Sequence, residues 1–560
     1  MIHSPPPPGT LYASGSRGRI LVATRDFEPG SIIAKFDAPI LALPDGPGAT
    51  TTCNYCLRVG TAGDLKACNA CKAAVYCNQA CQRAHWKLIH KHECKVFVRV
   101  RQSANKNWLP TPVRAVIQVL FLLKEGNARA IEAFLGGENA AQDNIDDVWV
   151  SGDALEDNVE GFKSHPKIWL DFKVQATAAI EYCGWKPTPD TVLSAQQILC
   201  QIQTNAFNRF DADSGRSGIF LDPALARINH SCIPNAFVDF HNRTAILRAY
   251  YPIKEGEEIT LSYTDTNYSK STRQEALTLY HFKCECPRCS ENLDVYEVCQ
   301  KSPVIPLNTF SLQPDLSKLR NPPVDRSVVS KAQVESIWKT WTEQTMPEEG
   351  DPMDVARKRW ELCQPLVKAK MWAIEPLPST LLSLNCHWMS SYKWVFYSLP
   401  LACFLATEID PYRNVVPFFP WRLKGVVAIV KLLTLMGSLT ATGELAKRCP
   451  HEGIVGVLAI ADEVLICEGL LRLVIKQAEI GAGEDWDVLQ FAKEMLKDLE
   501  TLPGRKKESD LIRKWAENPE DGPGKAFFES EVLKPVRVLA SFAPEILDDV
   551  LGKGLGLVRT

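Results

Sequence analysis

The sequence predicts an α+β protein, with short strands gathered in roughly its first half, a metal-binding module set among them, and helices through most of the remainder. Three observations carry this reading. Cysteine and histidine recur in pairs between Cys53 and Cys94 at spacings that suit a metal ion. Short β-rich segments, Phe237–Phe240 and Ala245–Tyr251, are followed by a turn at Glu255–Glu258 and an expected strand, Ile259–Tyr263. Elsewhere apolar residues recur at helical spacing, as in Val113, Val116, Ile117 and Leu120.

The chain begins Met-Ile-His-Ser-Pro-Pro-Pro-Pro, without the basic and apolar regions of a secretory leader, so none is expected. The proline run reads as a short extended stub. At 560 residues the chain exceeds what one core usually organises, so several domains are expected. Apolar content of 46% and charged content of 23% are ordinary for a globular protein. A formal net charge of −3 gives no global argument for nucleic acid.

The module reads Cys53-x2-Cys56, Cys68-x2-Cys71, Cys77-x3-Cys81 and His90-x3-Cys94. Eight ligands suffice for two tetrahedral zinc ions. A C-x2-C pair presents two thiolates from one tight turn, and three intervening residues put two ligands on one helical face. Spacing alone leaves sequential and interleaved pairing both open. His85 and His92 are left over and are expected to be solvated. From Cys53 to Arg101 nine Lys or Arg stand against Asp64 and Glu93, a formal +7, or +4 once two Zn²⁺ and seven thiolates are counted. Such a face suits an acidic partner or a phosphate backbone, or is simply solvated.

Thr111-Pro112 marks a helix start, and the chain to about Gln203 reads as helical, with a polar loop within 136–165. A second cysteine group, Cys284-x-Cys286-x2-Cys289, offers three thiolates and needs a fourth from elsewhere. The scattered Cys183, Cys200, Cys299, Cys363, Cys386, Cys403, Cys449 and Cys467 are expected to be small buried hydrophobes. After Cys289 a proline-punctuated linker is expected to about Pro323. Beyond it Val334, Ile337, Trp338 and Trp341 share one helical stripe, as do Val488, Ala492, Met495 and Leu499. The apolar stretches Trp394–Ala406, Val426–Met436 and Val455–Leu471 are short or interrupted by Pro400 or acidic residues, and none is expected to span a membrane.

With Tyr76, Gln82, Trp86 and Lys91 around its ligands, the module resembles a MYND zinc finger. That resemblance implies interleaved sites, Cys53, Cys56, Cys77 and Cys81 on one ion and Cys68, Cys71, His90 and Cys94 on the other. The run Arg227-Ile-Asn-His-Ser-Cys-Ile-Pro-Asn235, the segment ending at Tyr263, Tyr280-His-Phe282 and Cys284–Cys289 together resemble the SET-domain methyltransferases. Ser14-Gly-Ser-Arg-Gly18, Ile20–Thr24 and Glu28-Pro-Gly30 resemble that family's opening strands. Both resemblances over residues 10–290 narrow to the SET-and-MYND family.

The family resemblance implies a β-rich SET domain interrupted by a MYND finger and a helical insert, followed by an all-α, TPR-like C-terminal domain. The implied bounds are 1–50 for the N-terminal SET part, 51–97 for the finger, 98–203 for the insert and 204–270 for the SET core. A post-SET zinc segment follows at 271–295 and the helical domain at 324–560. The implied activity is S-adenosylmethionine-dependent transfer of methyl groups to protein lysines. A catalytically weak adaptor is the alternative. Arg17, Gly18, Asn205, Asn229, His230, Tyr263 and Phe282 would contact the cofactor. Tyr263 would be the catalytic tyrosine, with Tyr280 and Phe282 lining the lysine channel. Cys232, Cys284, Cys286 and Cys289 would hold a third structural zinc. The expected partners are a lysine-bearing protein or peptide and a proline-rich peptide at the finger, with nucleic acid a further possibility for its basic face. A monomer without membrane attachment, in cytoplasm or nucleus, is expected. One departure stands out: the family usually carries a second glycine where this chain has Ile20.

Overall fold

The computed structural model describes residues 6–15, 18–60, 63–104, 108–136, 154–211, 215–344, 351–483 and 486–552. Side chains of Pro47, Ser103, Ala104 and 210–216 are also outside the description. The chain forms two compact units, one of Met1–Thr264 with Gln274–Cys284, the other of Asp265–Arg273 with Glu285–Thr560.

In the first unit, β1 (Thr10–Gly15) and β2 (Gly18–Ala23) form an antiparallel hairpin in which Gly15 pairs with Gly18. Gly18 has φ +87, the left-handed region that favours glycine. β3 (Ile32–Phe36) and β4 (Leu41–Pro44) follow. The finger then contributes a two-residue ribbon, β5 (Lys66–Ala67) and β6 (Val75–Tyr76), and α1 (Gln79–His85). A π-helical turn, Trp86–His90, joins α1 to α2 (Lys91–Ala104).

The insert supplies α3 (Thr111–Lys124), α4 (Ala128–Leu135), α5 (Val159–Lys163), α6 (Pro166–Cys183) and α7 (Pro189–Asn205). Local chemistry sets these ends. Asn127 caps α4 at Ala130 N, Thr188 and Thr191 form a capping box on α7, and Gly184 closes α6 at φ +79. The apolar stripe of α3 is buried as the spacing predicts, Val113, Val116 and Ile117 packing with Ala176, Ile180 and Leu199 of α6 and α7. Part of the expected 136–165 loop, residues 137–153, lies outside the described residues; its end is helical, in α5.

The chain returns through β7 (Phe207–Asp211) and β8 (Gly215–Leu221) to a short helix, α8 (Pro223–Ala226), and then β9 (Ala236–His241) and β10 (Thr244–Ala249). Two antiparallel sheets result, ordered β4-β8-β7 and β3-β10-β9. Gly218, at φ +146, lets β8 lie against β4, because a Cβ there would strike the Leu43 carbonyl.

The expected strand Ile259–Tyr263 is instead an extended segment joined by isolated bridges. On one edge Ile259 N donates to Leu21 O (2.7 Å) and Ala23 N to Glu257 O (2.9 Å). On the other, Leu261 N donates to Asn229 O (2.9 Å) and Ser231 N to Leu261 O (2.8 Å). The segment therefore threads between β2 and Asn229–Ser231, too short on either side to build a ladder. Ile259 and Leu261 point into the core with Leu21, Phe27 and Ile228, while Tyr263 is half-exposed.

The second unit is helical. The expected linker after Cys289 is packed structure: Val295–Lys301 is a helix with an Asp294/Glu297 capping box, a 3-10 turn covers Ile305–Phe310, and Leu316–Arg320 is helical. Its Val295, Tyr296, Cys299, Ile305 and Leu319 are buried. Pro306 stands in the first turn of its element, where a missing N–H costs nothing, so it opens structure rather than breaking it.

Helix Pro420–Ala441 is long and apolar enough to cross a membrane. It packs on helix Glu463–Gly481, and its buried Arg422 bonds Asn308 Oδ1 (2.7 Å) and the Val415 carbonyl (2.9 Å). The scattered cysteines are buried as expected, except Cys386, which is exposed on helix Leu377–Met389.

Candidate active site and metal centres

A local turn starts the first of the candidate metal clusters. Asn78 Oδ1 accepts from Cys81 N (2.9 Å), starting α1 so that Cys81 faces back toward Cys77. Cys53, Cys56, Cys77 and Cys81 form one group and Cys68, Cys71, His90 and Cys94 a second, with ligand atoms of each group within 4.8 Å of one another. The pairing is thus interleaved. Cys68 and Cys94 Sγ are 3.9 Å apart, and Cys71 Sγ lies 3.8 Å from His90 Nε2. A tetrahedron with Zn–S bonds of about 2.3 Å has edges of roughly 3.8 Å, so the donors fit zinc. Cys232, Cys284, Cys286 and Cys289 form a third four-thiol group of the same kind.

Behind the second cluster lies a buried polar network that sequence reasoning missed. Glu93 accepts from Arg114 Nε (2.7 Å), Arg114 Nη2 (3.1 Å) and Gln118 Nε2 (2.7 Å) of α3. His90 Nδ1 lies 3.7 Å from the same carboxylate. His85, expected at the surface, is buried. Its Nε2 lies 3.5 Å from Glu93 and its Nδ1 3.0 Å from Tyr76 OH. With Nε2–H toward the carboxylate, Nδ1 accepts from the phenol, and burial holds the ring neutral, its pKa lowered to about 3. Burial opposes ionisation of Glu93 as well, but Arg114 more than reverses this and keeps the carboxyl well below its usual range. His92 is partly exposed, paired with Glu125 and stacked on Phe121. The spacing His90–Glu93, one turn across the junction of the π-helical turn with α2, was the available signal.

The second centre forms where the threaded segment passes Asn229–Ser231. Asp222 caps α8 through Ala224 N (3.0 Å), which delivers the chain to Ile228. Asn229 Nδ2 donates to Arg19 O (3.0 Å) in β2 and to Glu258 Oε1 (3.0 Å). His230 Nδ1 accepts from Tyr263 N (2.9 Å), so the proton sits on Nε2, which lies 3.2 Å from Cys232 Sγ. Asn235 braces the far end, donating to Glu258 O (2.8 Å) and accepting from Thr260 N (2.8 Å).

Tyr263 OH donates to the Ile228 carbonyl (2.6 Å). Its ring centroid lies 4.9 Å from Tyr280, 5.2 Å from His230 and 6.4 Å from Phe282. Burial pushes the Tyr280 phenol above its usual pKa. These rings form an aromatic wall around one phenol whose proton is already committed to a carbonyl. The oxygen lone pairs are left to accept. Gly18 lies in the hairpin whose β2 carries Arg19, Arg17 falls outside the described residues, and Asn205 ends α7 with its Nδ2 on Glu156 O (2.7 Å) and Gln201 O (2.8 Å). Ile20 lies over Gly15, where a Cβ would come within 2.8 Å of it.

The SET domain family model matches residues 18–264. The chain is 30% identical over 275 residues to the Arabidopsis thaliana protein named histone-lysine N-methyltransferase ASHR1, covering 49% of this chain and 53% of that one. It is 32% identical over 279 residues to the SET domain and MYND-type zinc finger protein 6 of Schizosaccharomyces pombe, covering 49% and 50%. To the human protein named histone-lysine N-methyltransferase SMYD3 it is 28% identical over 280 residues, covering 50% and 60%. The matched stretch thus spans about half the length of these relatives. An interleaved two-site finger set within a SET domain and followed by helices defines a class of zinc-stabilised SET protein. Over this stretch the chain is similar to proteins that carry a SET domain with a MYND-type finger.

Proposed function

We propose that this protein transfers methyl groups from S-adenosylmethionine to lysine side chains of proteins. The observation that carries the reading is the convergence of Asn229, His230 and the threaded segment on Tyr263, walled by Tyr280 and Phe282. The names of the relatives, two of them lysine methyltransferases, support it. The residues present suit the cofactor, because the Asn229 carboxamide ties the Arg19 main chain to the segment that carries His230, and the rings around His230 and Tyr263 are aromatic faces that tolerate a cation. When bound, S-adenosylmethionine supplies an electrophilic sulfonium methyl.

The chain's own residues do the rest. A lysine ammonium has no lone pair and a reference pKa near ~10.4. Walls of Tyr263, Tyr280 and Phe282 desolvate it and favour loss of its proton. Tyr263, its hydroxyl hydrogen turned to Ile228, presents lone pairs that hold the amine and contact methyl C–H groups. Alignment for in-line displacement then supplies most of the acceleration. The zinc clusters serve the frame, and the domain bounds read from the sequence are kept as part of this proposal. The finger would dock a proline-rich peptide, its Trp86 47% exposed between Arg83 and Lys87; action in cytoplasm or nucleus completes the reading.

Tyr263→Phe tests it. Turnover of a lysine peptide should fall by about 100-fold or more while S-adenosylmethionine affinity by calorimetry stays within about twofold. Wild-type rates from this variant would refute the assignment. One observation favours the adaptor reading, Ile20 standing on Gly15 at the hairpin. Absence of cofactor binding to zinc-loaded protein at millimolar concentration would decide for it.

A further inference from the structure

Two sides of the site are held by one short stretch of the insert. Asn158 lies in the left-handed region (φ 48) before α5, and its Nδ2 donates to Leu279 O (3.3 Å) and Thr204 Oγ1 (3.4 Å). Two residues earlier, the Glu156 carbonyl accepts from Asn205 Nδ2 (2.7 Å). Three residues later, Gly161 faces His281 so closely that a Cβ built there would land on the imidazole. His281 is itself left-handed (φ 57) and stands between Tyr280 and Phe282. Asp157 braces the stretch, its carboxylate accepting from Val159 N (3.1 Å) and Gln197 Nε2 (3.0 Å).

A non-glycine residue with positive φ costs about 1 kcal/mol or more and persists only where its surroundings over-determine it. At His281, whose side chain is otherwise exposed, those surroundings are Gly161 against the end of its imidazole and an amide grip two residues back on Leu279, which packs against the insert's core. Tyr280 and Phe282 take their directions from that turn.

We propose that Glu156–Gly161 is a positioning clamp. It fixes the aromatic turn 279–282, and so the width of the lysine channel, and it ties that turn to Asn205 on the cofactor side. The inference rests on the methyltransferase reading. Gly161 is the sensitive position, because Ala is a better helix former than Gly by about 1 kcal/mol and α5 itself is not weakened by the change.

The test compares Gly161→Ala, His281→Ala and the double variant in the full, zinc-loaded chain. Gly161→Ala should raise the peptide KM by about tenfold or more and speed amide hydrogen exchange across 279–282. S-adenosylmethionine affinity should stay within about twofold of wild type. The double variant should return both readouts to the level of His281→Ala, since the clash is gone. Unchanged exchange and KM in Gly161→Ala, or a double variant as impaired as Gly161→Ala, would overturn the clamp. Should Gly161→Ala fail to fold, Asn158→Ala carries the same test, with faster exchange at 279–282 expected and unchanged exchange fatal. A wild-type protein without methyl transfer would instead refute the parent reading, while the exchange data still judge the clamp.

Discussion

Glu93 receives two Arg114 bonds and one from Gln118 while facing both His85 and His90, all of them buried. It orients a metal-facing imidazole through its second nitrogen and bolts the finger to α3. Removing one partner of such a group strands the rest without solvent. Glu93→Ala should therefore cost about 3–5 kcal/mol, seen as a lowered Tm, and should speed zinc release to a chelator. Arg114→Met should produce the same pair of effects, and normal zinc retention in both would show the network to be incidental. Little of this was legible, because nothing in the sequence tells a buried histidine from a solvated one. His85 looked spare only because eight ligands had already been counted, whereas its burial follows from tertiary packing beneath Tyr76.

At the scale of elements, the helices and the cysteine pairs could be read because periodicity and ligand spacing are local. The α3 stripe and both finger sites stand where the sequence puts them. The packed segment after Cys289 escaped notice since its prolines resemble breakers, although the Asp294–Glu297 capping box was there to read. The Ile259–Tyr263 segment alternates like a strand but borrows its partners singly from two distant stretches, which no local pattern encodes. A titration prediction belongs at this scale. At the start of helix Asp410–Arg413, burial pushes the Asp410 carboxyl up to about 6, against the pull of Arg413 and Arg422. An acid with a raised folded pKa favours the folded state most when protonated, so this contribution is present below the unfolded value near ~3.9 and is lost as pH rises through about 6. Asp410→Asn should therefore raise Tm at pH 7.5 relative to wild type, with the gain shrinking by pH 5. A gain that does not depend on pH would point elsewhere.

For the whole molecule, metal content is the direct measure. Purified protein should hold three zinc ions per chain. Cys53→Ala/Cys77→Ala should lose one ion, because both belong to one cluster, whereas Cys53→Ala/Cys68→Ala should lose two. Elemental analysis distinguishes this from sequential pairing, which predicts a loss of two ions for the first pair. Chelation should lower Tm and, on the methyltransferase reading, abolish methyl transfer to lysine with it, since the finger shares its core with the insert.

The threaded segment also dictates a history. Asn229 reaches Arg19 across 210 residues, and Glu257–Leu261 passes between their two stretches. During synthesis the finger and insert can form as soon as they emerge, but the hairpin then waits with one edge bare until the last strand of the weave is made. The site is closed only after Phe282 has left the ribosome, so it is the final part of its unit to exist. A chain halted before Tyr263 would carry the ligands of both finger sites without the Asn229–Tyr263 site, whose long-range closure is expected to come late in folding.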